Sequence, residues 1–151
     1  MRPVDLLYKA MNVPITAMLR SSLHGFGSKH LCILNFRGRE SGRDLSTPLS
    51  FVRDGDVVRL LSSHKTKWWK NFVGEGMDVE VEIARERFSG RAESILEDGD
   101  RLRDGVRQFL TALPRDAVVY GIGLDGDKRP KEADIEKAAG HVVLVEIKLN
   151  A

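Results

Sequence analysis

The apolar positions change period several times along the chain, and each change marks an element. Leu31 to Phe36 is almost continuously apolar and reads as a strand, with Cys32, Leu34 and Phe36 on one face. A loop rich in glycine and arginine, 37–43, separates it from a second predicted strand over 45–53. Asp54-Gly55 lies between that segment and a third run, Val57 to Leu61. Both turn residues tolerate the positive φ that a two-residue connection needs, so a hairpin is predicted there. Val79, Val81 and Ile83 alternate with Glu80 and Glu82, which predicts a half-buried strand with a wet outer face, and a further strand follows over 87–96.

Helical spacing appears in four places. Residues 3–23 read as two short helices interrupted at Pro14. Ser62-Ser63 is placed to cap a short helix over 65–73, whose Trp68/Phe72 and Trp69/Val73 pairs fall four apart. Asp98 is the expected cap of a helix carrying Leu102, Val106, Phe109, Leu110 and Leu113, which Pro114 stops. Residues 117–122 fit a short strand, 131–139 a helix and 141–149 a last strand. Consecutive strands joined by tight turns pair antiparallel, and five or six of them closing on themselves leave no exposed edge. The pattern predicts an α+β fold on a small antiparallel barrel, one domain over 1–151, with N-terminal helices in 1–30 and an insertion at 115–140 before the last strand.

Composition narrows the classes. A chain of 151 residues buries roughly 70% of its unfolded surface, enough for a core without metal or disulfide support. Cys32 is the one cysteine, which excludes an intrachain disulfide and a cysteine-based metal site. It is expected to be a packed core thiol. No apolar run approaches the ~20 residues of a membrane span, and Met1 to Asp5 does not read as a secretion signal. A soluble cytoplasmic protein is the expectation. The net charge is only +2, but arginine and lysine concentrate between 37 and 70, a local field suited to an anionic ligand.

Three apparent motifs fail on their own chemistry. Gly121-Ile-Gly123-Leu-Asp-Gly126 has dinucleotide-binding spacing, yet Asp125 to Pro130 puts acids and a proline where a helix N-terminus must face phosphate. The same stretch imitates a calcium loop but carries Arg129 at a ligand position and Pro130 in place of the required glycine. His24, His30, His64 and His141 show no metal-binding spacing, so no metal is expected.

Two segments carry the functional expectation. The loop 37–43 holds three guanidinium groups, a hydroxyl and two glycines that let backbone N–H groups face outward. Ser63 and the helix start after it offer further N–H groups, with Lys65 and Lys67 close by and Trp68 and Trp69 to cover a planar ring. If 45–53 and 56–62 form one hairpin, both segments lie at the end opposite its turn and make an anion cradle. The alternative is a solvated charged loop beside a basic helix with a tryptophan anchor.

The ordered run Gly38-Arg-Glu-Ser-Gly-Arg43, Pro48-Leu49, Arg53-Asp-Gly-Asp56, Ser62-Ser63 and Trp68-Trp-Lys-Asn71 resembles the deazaflavin-dependent nitroreductase/quinone reductase family, over about residues 31–96. That family belongs to the flavin-binding split barrels related to pyridoxamine-phosphate oxidase. The resemblance implies a six-stranded antiparallel split β-barrel with flanking helices, often a homodimer, that passes hydride from a reduced deazaflavin (F420) to a quinone or nitro compound. It further implies that Gly38, Arg39, Ser41, Gly42 and Arg43 hold the cofactor's phosphate and acidic tail. Pro48 and Leu49 line the ring site; Ser62, Ser63 and Lys65 take the tail or ribityl chain; Trp68 and Asn71 shape the pocket. Glu40 stands where the family usually carries lysine, and Tyr120 is the candidate proton donor. The alternatives are FMN as cofactor, or a barrel that binds a flavin or another ligand without catalysis. A nucleic-acid module built on Arg37–Arg43 and Lys65–Lys70 is a third reading, against which the near-zero net charge counts.

Overall fold

The structure is a computed structural model that describes Ala17, Met18, Arg20 and residues 30–150. The helices expected over 3–23 therefore lie outside the described residues, apart from those three positions. The described residues form seven strands rather than six: β1 Leu31–Arg37, β2 Asp44–Ser50, β3 Val52–Asp54, β4 Val57–Ser63, β5 Met77–Ile83, β6 Glu86–Ile95 and β7 Val142–Leu149. Helix α1 spans Asp100–Ala112 and α2 spans Glu132–Ala138, with 3-10 helices at Trp68–Phe72 and Pro114–Tyr120. The chain divides into two compact units, residues 1–50 with 78–90 and residues 51–77 with 91–151.

The extra strand comes from dividing the predicted 45–53. β2 takes β1 as its antiparallel partner from Leu31↔Ser50 to Arg37↔Asp44, while β3 takes β4 from Val52↔Arg59 to Asp54↔Val57. The break falls at buried Phe51. The hairpin at Asp54 forms, with Gly55 at φ +61 as its first turn residue, but its first arm is only three residues long. The single long hairpin expected to align loop 37–43 with Ser62-Ser63 is thus replaced by two shorter pairings.

In the first unit β1 lies between β2 and β5. Cys32, Ile33 and Leu34 are fully buried, and burial pushes the Cys32 thiol up to about 12; it is the inert core thiol expected. The outer face of β5 is not wholly wet. Glu82 is buried, receives Arg20 Nη2 at 2.9 Å and Asn35 Nδ2 at 2.6 Å, and Asn35 Oδ1 in turn accepts from Ser46. An arginine and an amide compensate a carboxylate that alternation alone assigns to solvent.

In the second unit β7 lies between β4 and β6, with β3 outside β4. α1 lays Leu102, Val106, Phe109 and Leu110 into the core with Leu144 of β7. Each such side chain contributes roughly 1.5–3 kcal/mol when fully buried. Gly105 is the close-approach point: a Cβ there would collide with the buried Leu144 side chain. Arg107 forks onto Glu132 at 2.6 and 2.8 Å, tying α1 to α2.

Three local expectations change for identifiable reasons. Asp98 does not cap α1; its carboxylate takes Arg103 through two 2.8 Å bonds, and Gly99 occupies the cap position. Residues 117–122 are not a strand, because Pro114 begins a 3-10 helix instead of merely ending α1, and Gly121 at φ +70 closes it. The helix expected over 65–73 shrinks to Trp68–Phe72, since Ser63 O recruits Thr66 N–H at 3.1 Å and folds the preceding residues into a turn.

Two outcomes test this packing. Gly105→Ala gains about 1 kcal/mol of helix propensity but overpacks Leu144, and a net loss of about 1–2 kcal/mol is expected in urea unfolding. For Glu82, burial works to raise the carboxyl and the Arg20 and Asn35 hydrogen bonds lower it by more, leaving it below the ordinary range. Its stabilisation is therefore complete above about pH 4.3 and is lost as pH falls through the depressed folded value. Glu82→Gln is expected to flatten that acid limb and to cost about 1–2 kcal/mol at pH 7, a figure discounted because Arg20 is half exposed; unfolding followed across pH 3–7 measures both.

Candidate functional site

Within the first unit the loop between β1 and β2 is tightly closed. Gly38 N–H donates to Arg43 O at 2.8 Å, Gly42 N–H donates to Gly38 O at 2.8 Å, and Arg43 N–H donates to Ser41 Oγ at 3.2 Å. Gly38 is buried with no room for a Cβ beside Ser41 Oγ, and Gly42 sits at φ +68. The glycines thus close the loop on itself, contrary to the expectation that they turn their N–H groups outward. What faces solvent is side-chain charge: Arg39, Glu40 and Arg43 are exposed, and Arg37 pairs with Asp44 at 3.5 Å.

Pro48 and Leu49 follow on β2, half-buried, opposite Ile33 and Cys32. Thr47, just before them and opposite Leu34, was not singled out by sequence. Its Oγ1 is buried and has no hydrogen-bond partner among the described residues. Such a group costs about 1–3 kcal/mol, and no pattern marks it, because threonine is an ordinary strand former.

Within the second unit Ser62 and Ser63 end β4, paired with Val143 and Val142 of β7. The Ser62 hydroxyl bonds that of Thr66. Ser63 Oγ accepts from Lys65 N–H at 3.3 Å, while Ser63 O accepts from Thr66 Oγ1 at 3.0 Å and Trp69 Nε1 at 2.9 Å. Of the N–H groups expected to be free after Ser63, those of Lys65 and Thr66 are spent inside the turn and that of His64 on His141 O. Trp69 is the buried anchor, 5.5 Å from the His64 ring, and Trp68 is half-buried with its edge on Phe72 at 6.2 Å. Asn71 Nδ2 donates to Trp68 O at 2.9 Å, so it braces the turn.

Beside Ser63 opens a cavity of about 300 Å³ whose walls include Lys65, Tyr120, Asp134, Lys137 and His141. Three residues nominated from sequence, Ser63, Lys65 and Tyr120, are therefore brought together. Tyr120 is held above the ordinary phenol range, by burial first and then by the negative charge of Asp116. His141 joins through the strand register: its O accepts His64 N–H at 3.0 Å, and its Nε2 lies 3.3 Å from Tyr120 O. A carbonyl only accepts, so Nε2 carries the proton of that bond. Lys137 and His141 were missed because they lie more than 70 residues beyond Ser63 in sequence. A second, apolar concavity of about 530 Å³ borders Ala117, Val118, Ile122 and Leu124, with Val118 and Val119 strongly exposed. The stretch 125–130 is the polar turn expected, closed by a Leu124↔Pro130 bridge and by Asp125 Oδ1, which accepts Asp127 N–H and Arg129 N–H. No cluster of metal-ligating side chains occurs among the described residues, and no helix among them is long and apolar enough to cross a membrane.

Comparison with known proteins gives one family and several structural neighbours. Residues 1–119 match the family described as F420H(2)-dependent quinone reductase. No curated protein matches the chain. Among solved structures, a protein described as a domain-swapped dimer has a TM-score of 0.56 at 13% identity, with 97% of this chain and 99% of that one covered. A NimC/NimA family protein from Clostridium acetobutylicum has a TM-score of 0.52 at 14% identity, covering 88% and 80%. A structure described as an F420 reductase has a TM-score of 0.43 at 18% identity, covering 81% and 87%.

Thr47→Val removes the orphaned hydroxyl while keeping the shape. It is expected to stabilise the ligand-free protein by about 1 kcal/mol, read as a rise in melting temperature; an unchanged or lowered melting temperature contradicts the assignment.

Proposed function

The chain belongs to the F420H(2)-dependent quinone reductase family, and from that premise we propose that it is an oxidoreductase passing hydride from a reduced deazaflavin to a quinone or nitro acceptor. The observation that carries the reading is the family match over residues 1–119, which contains every nominated cofactor residue from Gly38 to Asn71. A single split-barrel domain acting in the cytoplasm as a homodimer completes the proposal; a neighbour of the same fold is described as a domain-swapped dimer.

The donor set fits such a cofactor. Arg39 and Arg43 present forked cations suited to phosphate, and the unpartnered Thr47 Oγ1 beside Pro48 and Leu49 is a buried oxygen that a polar ring edge would satisfy. In this reading Arg39 and Arg43 hold the phosphate end, on the loop that Gly38, Ser41 and Gly42 close. Pro48 and Leu49 line the ring, Ser62, Ser63 and Lys65 take the chain, and Trp68 and Asn71 wall the pocket. When bound, the deazaflavin supplies a hydride, the hard chemistry that side chains lack. The protein contributes binding, orientation and exclusion of water. Tyr120, with its proton held more tightly than in a free phenol, serves as a hydrogen-bond donor to an acceptor oxygen, and solvent supplies the second hydrogen of the reduced acceptor as a proton.

Titration of the apo-protein with deazaflavin and with FMN, followed by turnover with menadione, tests the proposal. Deazaflavin binding with hydride transfer is expected, and the Arg39→Gln/Arg43→Gln double variant is expected to bind it at least tenfold more weakly without losing its fold. Preference for FMN, or tight binding with no turnover on any quinone or nitro compound, overturns it.

A further inference from the structure

The 3-10 helix Pro114–Tyr120 is weakly anchored at its end. Val118 and Val119 are 80% and 73% exposed, so only Ala117 and part of the Tyr120 ring join the core there. Gly121 follows at φ +70 and turns the chain away. Carbonyls at a helix end lack partners within the helix. Ala117 O accepts Ile122 N–H at 3.0 Å, and Val118 O accepts Gly121 N–H at 3.2 Å. Tyr120 O is met by a side chain instead, His141 Nε2 at 3.3 Å.

His141 is itself held from two sides. Its N–H donates to Ala138 O at 2.9 Å, and its O accepts His64 N–H at 3.0 Å. The imidazole therefore reaches Tyr120 from a backbone fixed by the end of α2 and the end of β4 at once. His141 is exposed, so apolar burial does not hold its ring in place. Its bond to Tyr120 O closes a link among three elements distant in sequence, and both residues border the cavity beside Ser63.

We propose that His141 is a positioning residue for Tyr120. Its Nε2–H clamps the Tyr120 carbonyl, and the clamp keeps the phenol packed against the core at the cavity wall. Without it, the exposed valines and Gly121 leave the ring free to swing into solvent. That the Tyr120 hydroxyl then serves an electron acceptor rests on the proposed function; that His141 fixes the ring does not.

The test uses the full chain carrying Tyr8→Phe, which leaves Tyr120 as the one tyrosine, labelled with 3-fluorotyrosine. The fluorinated phenol ionises at lower pH than tyrosine, so its ¹⁹F titration stays within the range of the folded protein. In the parent the label ionises above the free amino acid, because burial opposes the phenolate. His141→Ala is expected to raise its ionisation constant about tenfold, the equivalent of one hydrogen bond. His141→Gln keeps an N–H donor and is expected to stay within about twofold of the parent. Gly105→Ala, which strains α1 against Leu144 instead, is expected to leave the titration unchanged. In turnover of deazaflavin with menadione, His141→Ala is expected to lower kcat about tenfold with the deazaflavin KM unchanged, and to slow a Tyr120→Phe protein no further. A His141→Ala protein that titrates as the parent does, a His141→Gln protein that fails to restore the titration, an equal change with Gly105→Ala, or an additive loss in the double variant overturns the assignment. A titration that moves as expected, in a protein without deazaflavin turnover, keeps the clamp and removes the proposed function.

Discussion

The antiparallel register from Val57↔Lys148 to Ser63↔Val142 decides what surrounds the two serines. β7 is apolar on both faces from Val142 to Val145, as a strand covered on each side must be, and it seats α1 through Leu144. Because Ser63 faces Val142, the residue before it, His141, arrives beside β4 and accepts a backbone bond from His64. A slip of one residue would reverse every side chain of β7 between its two faces. The register therefore protects the core and the cavity at once.

Polar groups inside the first unit are handled in two opposite ways. Glu82 is fully compensated by a guanidinium and an amide, and Asn35 is itself engaged by Ser46. Such a network fixes geometry more than it adds stability. Thr47 Oγ1 has no partner among the described residues. A cost that no described residue relieves marks a place where a bound polar group would be held more tightly than on a satisfied surface.

Charge follows the same logic. The basic block between 37 and 70 is partly spent within the fold: Arg37 pairs with Asp44, and Arg59 lies between Glu146 at 3.1 Å and Asp54 at 3.6 Å. The Arg37–Asp44 pair is exposed and contributes little stability, whereas Arg59 and Glu146 are both largely buried. Lys65 and Lys137, which make no ion pair among the described residues, both line the recess beside Ser63.

Periodicity alone was enough to place β1, β4, β7, α1 and α2 within a residue or two, to bury Cys32 and to discard the dinucleotide and calcium motifs, because burial of an apolar face is written into spacing. The cofactor candidates of the loop, of Pro48-Leu49 and of Ser62–Asn71 were nominated from an ordered run of residues rather than from periodicity. The Ile83–Glu86 connection was not legible: it turns through Ala84 and Arg85, both at positive φ and neither a glycine. Partner choice was hidden as well, since 45–53 reads as one strand until β1 and β4 each claim part of it. The sequence by itself determined which residues are apolar, which are basic and where the turns are possible. Only the tertiary structure decided which distant residues meet, as Ser63 meets His141, and which polar atoms are left unsatisfied, because strand pairing acts between segments that share no local signal.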